Sequence, residues 1–237
     1  MYLSAPIYQL KRKAKLISRG EKIPLHQALD RLAKEEGFGS WSLLASKVAQ
    51  EAPAIKILPQ LRDGDLVLIG ARPGEGKTMI SLELAVAAMK QGRRAAFFSL
   101  EYNERQVHAS LRSLGEDPEA YTNVFEFDGS DRIDSSHIVS ALSSAPSGML
   151  VVIDYLQLLD QKRTSPDLLS QVRQLKFFAA QRGLIMLFIS QIDRKYDAGV
   201  KAFPGLSDVR LSNPLDLHLF DKACFLSNGK VLFEAVH

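Results

Sequence analysis

Cysteine is all but missing from this sequence: Cys224 is the only one, so no intrachain disulfide can form. Also missing is any apolar run near the ~18–20 residues that cross a bilayer, because charges cut the candidates, and no membrane partner is expected. The N-terminus, MYLSAPIYQLKRKAK, places its basic cluster after the first apolar residues with no long apolar core behind it. That is the wrong order for a secretory signal. One cysteine and no export signal point to a reducing, cytoplasmic home. Charge of one sign is scarce as well, since the formal net charge is only +3, too little to announce a nucleic-acid binder. No internal repeat or low-complexity tract appears.

What is present is ordinary globular composition, 46% apolar and 24% charged over 237 residues, enough for one sizeable core and a small appendage. Residues 5–50 read as helices. In PLHQALDRLAKEEG, residues Leu25, Ala28, Leu29, Leu32 and Ala33 recur at helical spacing on one stripe. Pro24 suits a first turn and Gly37 is placed to end the helix. A second helix is expected in SWSLLASKVAQ, with Ser40 as its N-cap. The segment Lys11–Lys22 holds six cations and one acid; such a face is most often simply solvated. Two prolines then interrupt EAPAIKILPQLRDGD, which predicts a helical module over 1–52, a linker over 53–64 and a second domain over 65–237.

From Asp65 the texture changes. The runs LVLIG, AAFFSL, MLVVIDYLQLL, LIMLFISQ, ACFLS and KVLFEAV alternate with helical stretches. Nearly continuous apolar strands separated by helices imply an α/β fold with a mostly parallel sheet covered on both faces. Ligands in such sheets gather at the carboxyl ends of the strands.

The strand LVLIG runs straight into ARPGEGKTMISLELAVAAM. Gly74 and Gly76 allow backbone N–H groups to surround anionic oxygens, and the helix that follows adds its N-terminal dipole. Ala71, Arg72, Pro73, Gly74, Glu75, Gly76, Lys77, Thr78 and Met79 therefore form a candidate nucleotide loop. Lys77 is placed to reach the β- and γ-phosphates and Thr78 to ligate Mg²⁺. Gly74-Glu75-Gly76 lacks the third glycine of a dinucleotide fingerprint. The motif's usual first glycine falls on Ala71, with Gly70 just before it. Asp154, at the end of MLVVID, is expected at a strand tip, where a water-bridged Mg²⁺ contact is natural. Many nucleotide hydrolases place a glutamate directly after this aspartate, and here Tyr155 stands there. That leaves the base to Glu101, at the end of AAFFSL, a strand expected to neighbour the phosphate-binding one. A carboxylate at that tip can orient water and accept its proton; as an alternative or in addition, Glu101 opens the next helix as a favourable first-turn acid.

The stretches ARPGEGKT, FFSLEY, VVIDYLQLL and FISQIDR, in this order, resemble the RecA-like motor domain of bacterial replicative, DnaB-type helicases, and GLSDVRLSNPLDLHLFDKACFL resembles a later segment of that family. The resemblance covers about Arg62 to Val236. It implies a RecA-like P-loop NTPase that uses ATP and Mg²⁺, assembles as a homo-oligomeric ring hexamer and moves on single-stranded DNA. It implies Lys77 and Thr78 on phosphates and metal, Glu101 as base, Asp154 at the metal and Gln191 as γ-phosphate sensor. Two loops follow the family's channel-lining positions. The first, DQKRTSP, carries Lys162 and Arg163. The second, DRKYDAGVKAFPG, carries Arg194, Lys195, Tyr196, Lys201 and Phe203, cations and aromatics that suit a single strand. Arg210 matches a family arginine.

Two departures qualify the resemblance. The family's Lys-x-Arg element, which reaches a neighbour's γ-phosphate, does not follow KVLFEAVH, so Lys230 or Arg210 would supply that cation or hydrolysis would be slow. Residues 1–50 are expected to be too short for the family's primase-interacting N-terminal domain, and the first helix of this segment is expected to dock on an adjacent subunit. A compact nucleotide-binding regulator is the rival reading. A nucleotide kinase is a weaker third, since no arginine-rich lid is evident.

Overall fold

A computed structural model of the chain describes residues 3–5, 7–131, 133–160 and 166–236. Three helices lead, α1 (Ile7–Glu21), α2 (Leu25–Glu35) and α3 (Trp41–Glu51), followed by the short α4 (Pro53–Ile57). Then come β1 (Leu66–Ala71), α5 (Lys77–Lys90), β2 (Ala95–Ser99), α6 (Glu104–Leu114), β3 (Phe125–Asp128), α7 (Ser135–Ala141) and β4 (Leu150–Asp154). The chain continues through α8 (Leu168–Arg182), β5 (Ile185–Gln191), β6 (Lys222–Ser227) and β7 (Lys230–Ala235).

The strands form one sheet in the order β3-β2-β4-β5-β1-β6-β7, parallel except for the final β6–β7 hairpin. Because side chains alternate across a strand, each strand feeds two cores. Leu66, Leu68, Ala96, Phe98, Val151, Ile153, Met186 and Phe188 face α7 and α8. Val67, Ile69, Ala95, Phe97, Leu150, Val152, Ile185 and Leu187 face α4, α5 and α6. This double burial explains why the strands read as unbroken apolar runs. Each such Val, Leu, Ile, Met or Phe side chain contributes about 1.5–3 kcal/mol on leaving water.

The sheet order corrects one expectation. AAFFSL, as β2, does not lie beside the phosphate-binding strand β1; β4 and β5 stand between them. The crossover helix α5 spans the gap, packing its buried Ile80, Leu82, Leu84 and Ala85 into the core shared by β1, β5, β4 and β2. The loop at its start is thereby carried toward the tips of the central strands. β3 joins as an edge strand that the sequence reading lacked.

Residues 53–64, expected as a linker, are folded onto the sheet domain. Pro53 stands in the first turn of α4 and Pro59 in that of a 3-10 turn, Leu58–Gln60. There a preset φ favours helix instead of breaking it. Ala54, Ile57, Leu58 and Leu61 are buried in the same core as α5.

The leading helices form a small cluster of Ala14, Ala28 and Leu32, with Ile17, Ile23 and Leu29 packed around it. Ser40 accepts the Leu43 N–H as the expected cap. The first helix docks on its own chain. Leu10 and Ala14 of α1 are buried, and the Lys11 ammonium donates to the Ser113 carbonyl, in the last turn of α6, at 3.1 Å.

Candidate functional site at the strand tips

β1 ends on Ala71, which is fully buried and sits between Gln191 of β5 and Leu226 of β6. Gly70 before it is required by packing: a Cβ there would lie 2.8 Å from the Phe225 ring. The next glycines are required by conformation. Gly74 and Gly76 have φ of 84° and 91°, and a Cβ on either would meet nothing within 4 Å. Open space over left-handed backbone is what a phosphate cradle needs. Gly76 occupies the N-cap position of α5, with no side-chain cap and no acid in the first turn, so the positive end of the helix is left for an anion.

Beneath the loop, the Thr78 hydroxyl donates to Asp154 Oδ2 at 3.3 Å. Asp154 is wholly buried, and its Oδ1 has no hydrogen-bond partner. Burial, followed by the charge of Glu101, pushes the Asp154 carboxyl up to about 7, against the opposing pull of Lys77 and Thr78. A buried carboxylate oxygen without a partner is costly, and a cation would satisfy it. Among the described residues no three or more His, Cys, Asp or Glu gather as a metal cage. Thr78 and Asp154 therefore fit Mg²⁺, which takes one or two protein oxygens and completes its shell with water and phosphate.

Glu101 lies just past β2, where Ser99 is the register partner of Asp154. The buried Ser99 hydroxyl accepts the N–H groups of Glu101 and Tyr102 at 3.1 and 3.0 Å and fixes this turn. Glu101 is exposed. It does not open the next helix: α6 begins at Glu104 under a capping box between Asn103 and Gln106. The acid is thus free of a capping task, and its charge is felt at Asp154.

Gln191 stands at the tip of β5 beside Ala71. Arg210 meets it twice, donating its backbone N–H to the Gln191 carbonyl at 2.8 Å and its guanidinium to Gln191 Oε1 at 3.4 Å. Gln157, from the VIDYLQLL stretch, donates to the Arg210 carbonyl at 2.6 Å and the Ser190 hydroxyl at 3.2 Å. Sequence reasoning missed Gln157 and Ser99, and it offered Arg210 as a candidate trans-acting cation without its contact to Gln191. The Asn103–Gln106 spacing was a readable capping signal.

In the second loop, Arg194 and Lys195 are exposed, and the Arg194 carbonyl accepts from the Arg72 guanidinium of the glycine-rich loop at 3.2 Å. Lys201 is exposed but ion-paired to Asp208 at 2.9 Å. Tyr196, expected to offer its ring to bases, is buried; its hydroxyl donates to the Lys201 carbonyl at 2.8 Å and lies 3.3 Å from Ser227 Oγ. It ties the loop to β6 and presents no stacking face. Phe203 is half-buried. Lys162 and Arg163 lie outside the described residues.

Known proteins share this architecture. Residues 56–122 match the family model of the DnaB-like helicase C terminal domain. The replicative DNA helicase DnaB of Mycoplasma genitalium is 28% identical over 191 residues, 65% of this chain and 41% of the relative. A probable plasmid replicative DNA helicase of Chlamydia muridarum is 25% identical over 186 residues, 66% of this chain and 41% of the relative. The chain thus spans about two fifths of the length of these relatives. Among solved structures, a DnaB-like replicative helicase superposes with a TM-score of 0.59 at 20% identity, covering 92% of this chain and 66% of that one. The fold is RecA-like, as the resemblance implied.

Proposed function

From this similarity to the DnaB-like helicase C terminal domain, we propose that the chain is an ATP-hydrolysing motor of the replicative-helicase type. It acts on single-stranded DNA in DNA replication or plasmid maintenance, in the cytoplasm and as a homo-oligomeric ring. The observation that carries the reading is the unpartnered, buried Asp154 oxygen beside Thr78, with Lys77 and Glu101 at the same strand tips. Arrays of charge and N–H groups that are already in position stabilise developing phosphoryl charge with no reorganisation during reaction.

In this reading residues 65–237 carry the chemistry and residues 1–52 a partner-facing role. Residues 71–79 cradle the triphosphate, with Lys77 on its outer oxygens. Thr78 and Asp154 hold Mg²⁺, which when bound neutralises phosphate charge. Glu101 orients the attacking water and accepts its proton. Gln191, held by Arg210, senses the γ-phosphate. Arg194, Lys195 and Lys201, with Lys162 and Arg163, track the phosphates of a single strand. Arg72 ties the nucleotide loop to that second loop directly.

The test is ATP turnover with and without single-stranded DNA across a salt series. DNA-stimulated hydrolysis that fades as salt rises is the expected result. Turnover indifferent to DNA at low salt contradicts the motor reading and leaves a nucleotide-binding regulator.

A further inference from the structure

The basic segment near the N-terminus has no part in the strand-tip chemistry, yet the fold gives it a fixed orientation. Leu10 and Ala14 pack inward from α1, and Lys11 is tied to the end of α6. On a helix of 3.6 residues per turn, Arg12 and Arg19 fall opposite that packed face, and Lys15 lies about 40–60° to one side of them, within the same outward stripe. All three are exposed, as is Leu16 between them, at 63%.

The acids nearby are engaged elsewhere. Glu21 pairs with Arg31, and Glu35 with Lys13 and Arg31. Asp30 accepts the Trp41 N–H and Glu36 accepts from Ser4. Among the described residues no acid pairs with Arg12, Lys15 or Arg19. The stripe is a row of unneutralised cations about 10 Å long, from the 1.5 Å helical rise.

We propose that this outward face of α1 is a second DNA contact, one that grips the phosphate backbone of duplex DNA without reading sequence. Charge complementarity selects a polyanion, and two features select the duplex over a single strand. Cations held at fixed spacing by one helix suit a polyanion whose charges are themselves fixed, and duplex DNA carries one charge per about 1.7 Å of axis. Single-strand sites add aromatic faces on which bases stack, and the described part of the stripe offers only Leu16 between its cations. Position separates this face from the motor loops. In a parallel α/β crossover α6 runs back from the strand tips, and α1 is docked at its far end. The proposal does not depend on ATP chemistry.

Fluorescence anisotropy of the full chain, without nucleotide, on labelled duplex and single-stranded oligonucleotides across about 50–200 mM salt is the test. For the triple variant Arg12→Gln, Lys15→Gln, Arg19→Gln, the duplex log–log salt slope should shrink by about 2.7, three contacts at roughly 0.9 each. Duplex binding should weaken at least tenfold at the lowest salt, as expected when several phosphate contacts are lost, with single-strand binding and ATP turnover unchanged. An Arg12→Lys, Arg19→Lys variant should keep duplex binding. An unchanged duplex slope overturns the proposal, as does an equal loss on single strands or a loss in the charge-preserving variant. If the triple variant melts early, Arg12→Gln and Arg19→Gln singly should each lower the slope by about 0.9, and no change in either overturns the proposal. Turnover of the parent chain that is indifferent to DNA, with its duplex binding intact, would instead count against the motor reading and leave the α1 contact standing.

Discussion

Asp154 shows how a single side chain can be costly to the free protein and useful to it. Its carboxyl is raised from 3.8 to about 7, chiefly by burial and then by Glu101. Between those values the folded chain holds a proton that the unfolded chain has released, so stability falls as pH rises through that window. Above about 7 the penalty is fully present. Asp154→Asn should therefore raise the melting temperature of the nucleotide-free protein at about pH 8 and change it little at about pH 4. The same variant should lose the stabilisation that Mg-ATP gives the parent chain, read by thermal melts with and without ligand. The key side chains here were legible because each belongs to a local motif: Gly-Lys-Thr after a strand, an acid after β-branched residues, an acid closing AAFFSL. Tyr196 was misread because basic and aromatic composition does not report direction; its hydroxyl turned inward to Lys201 and Ser227. The Gln157–Arg210–Gln191 set was illegible because three segments far apart in sequence supply it.

Among the elements, α5 has the most to reconcile. It is buried nearly all round, through Ile80, Leu82, Leu84, Ala85, Val86, Ala88 and Met89, and it carries Glu83 into that environment. Burial raises the Glu83 carboxyl from 4.5 to about 7, so this acid too lowers stability as pH climbs through that window. Glu83→Gln should raise Tm at about pH 8 by about 2–4 °C, the shift that 1 kcal/mol produces in a domain of this size, and leave it unchanged near pH 4. A second element-scale prediction concerns the loop after β5. Tyr196→Phe removes a buried hydroxyl with two partners and should cost about 1 kcal/mol, seen in denaturant melts. Long apolar strands were legible at this scale. β3 was not, being short and half-exposed, and α4 was hidden by prolines that read as breakers although they stand in first turns.

For the whole molecule, the sheet order is what assembles the site. β4 and β5 separate β2 from β1, and α5 bridges that distance, so Lys77, Asp154, Glu101 and Gln191 meet at one edge from four different strand ends. No sequence pattern states strand order, which is why the expected β1–β2 adjacency was mistaken. The leading helices lie outside this assembly. Ala14→Asp would bury a charge under α1 and should unseat it, increasing protease cleavage within residues 7–21 while ATP turnover persists; protection equal to the parent chain would contradict the cis docking. The proposed function turns on Glu101 as the base that Tyr155 cannot be. The measurement is ATP binding and single-turnover hydrolysis for the parent chain and Glu101→Gln, side by side. Binding should be retained while hydrolysis drops by about 10²–10⁴-fold, the range for loss of a positioned general base; hydrolysis at the parent rate would contradict the account.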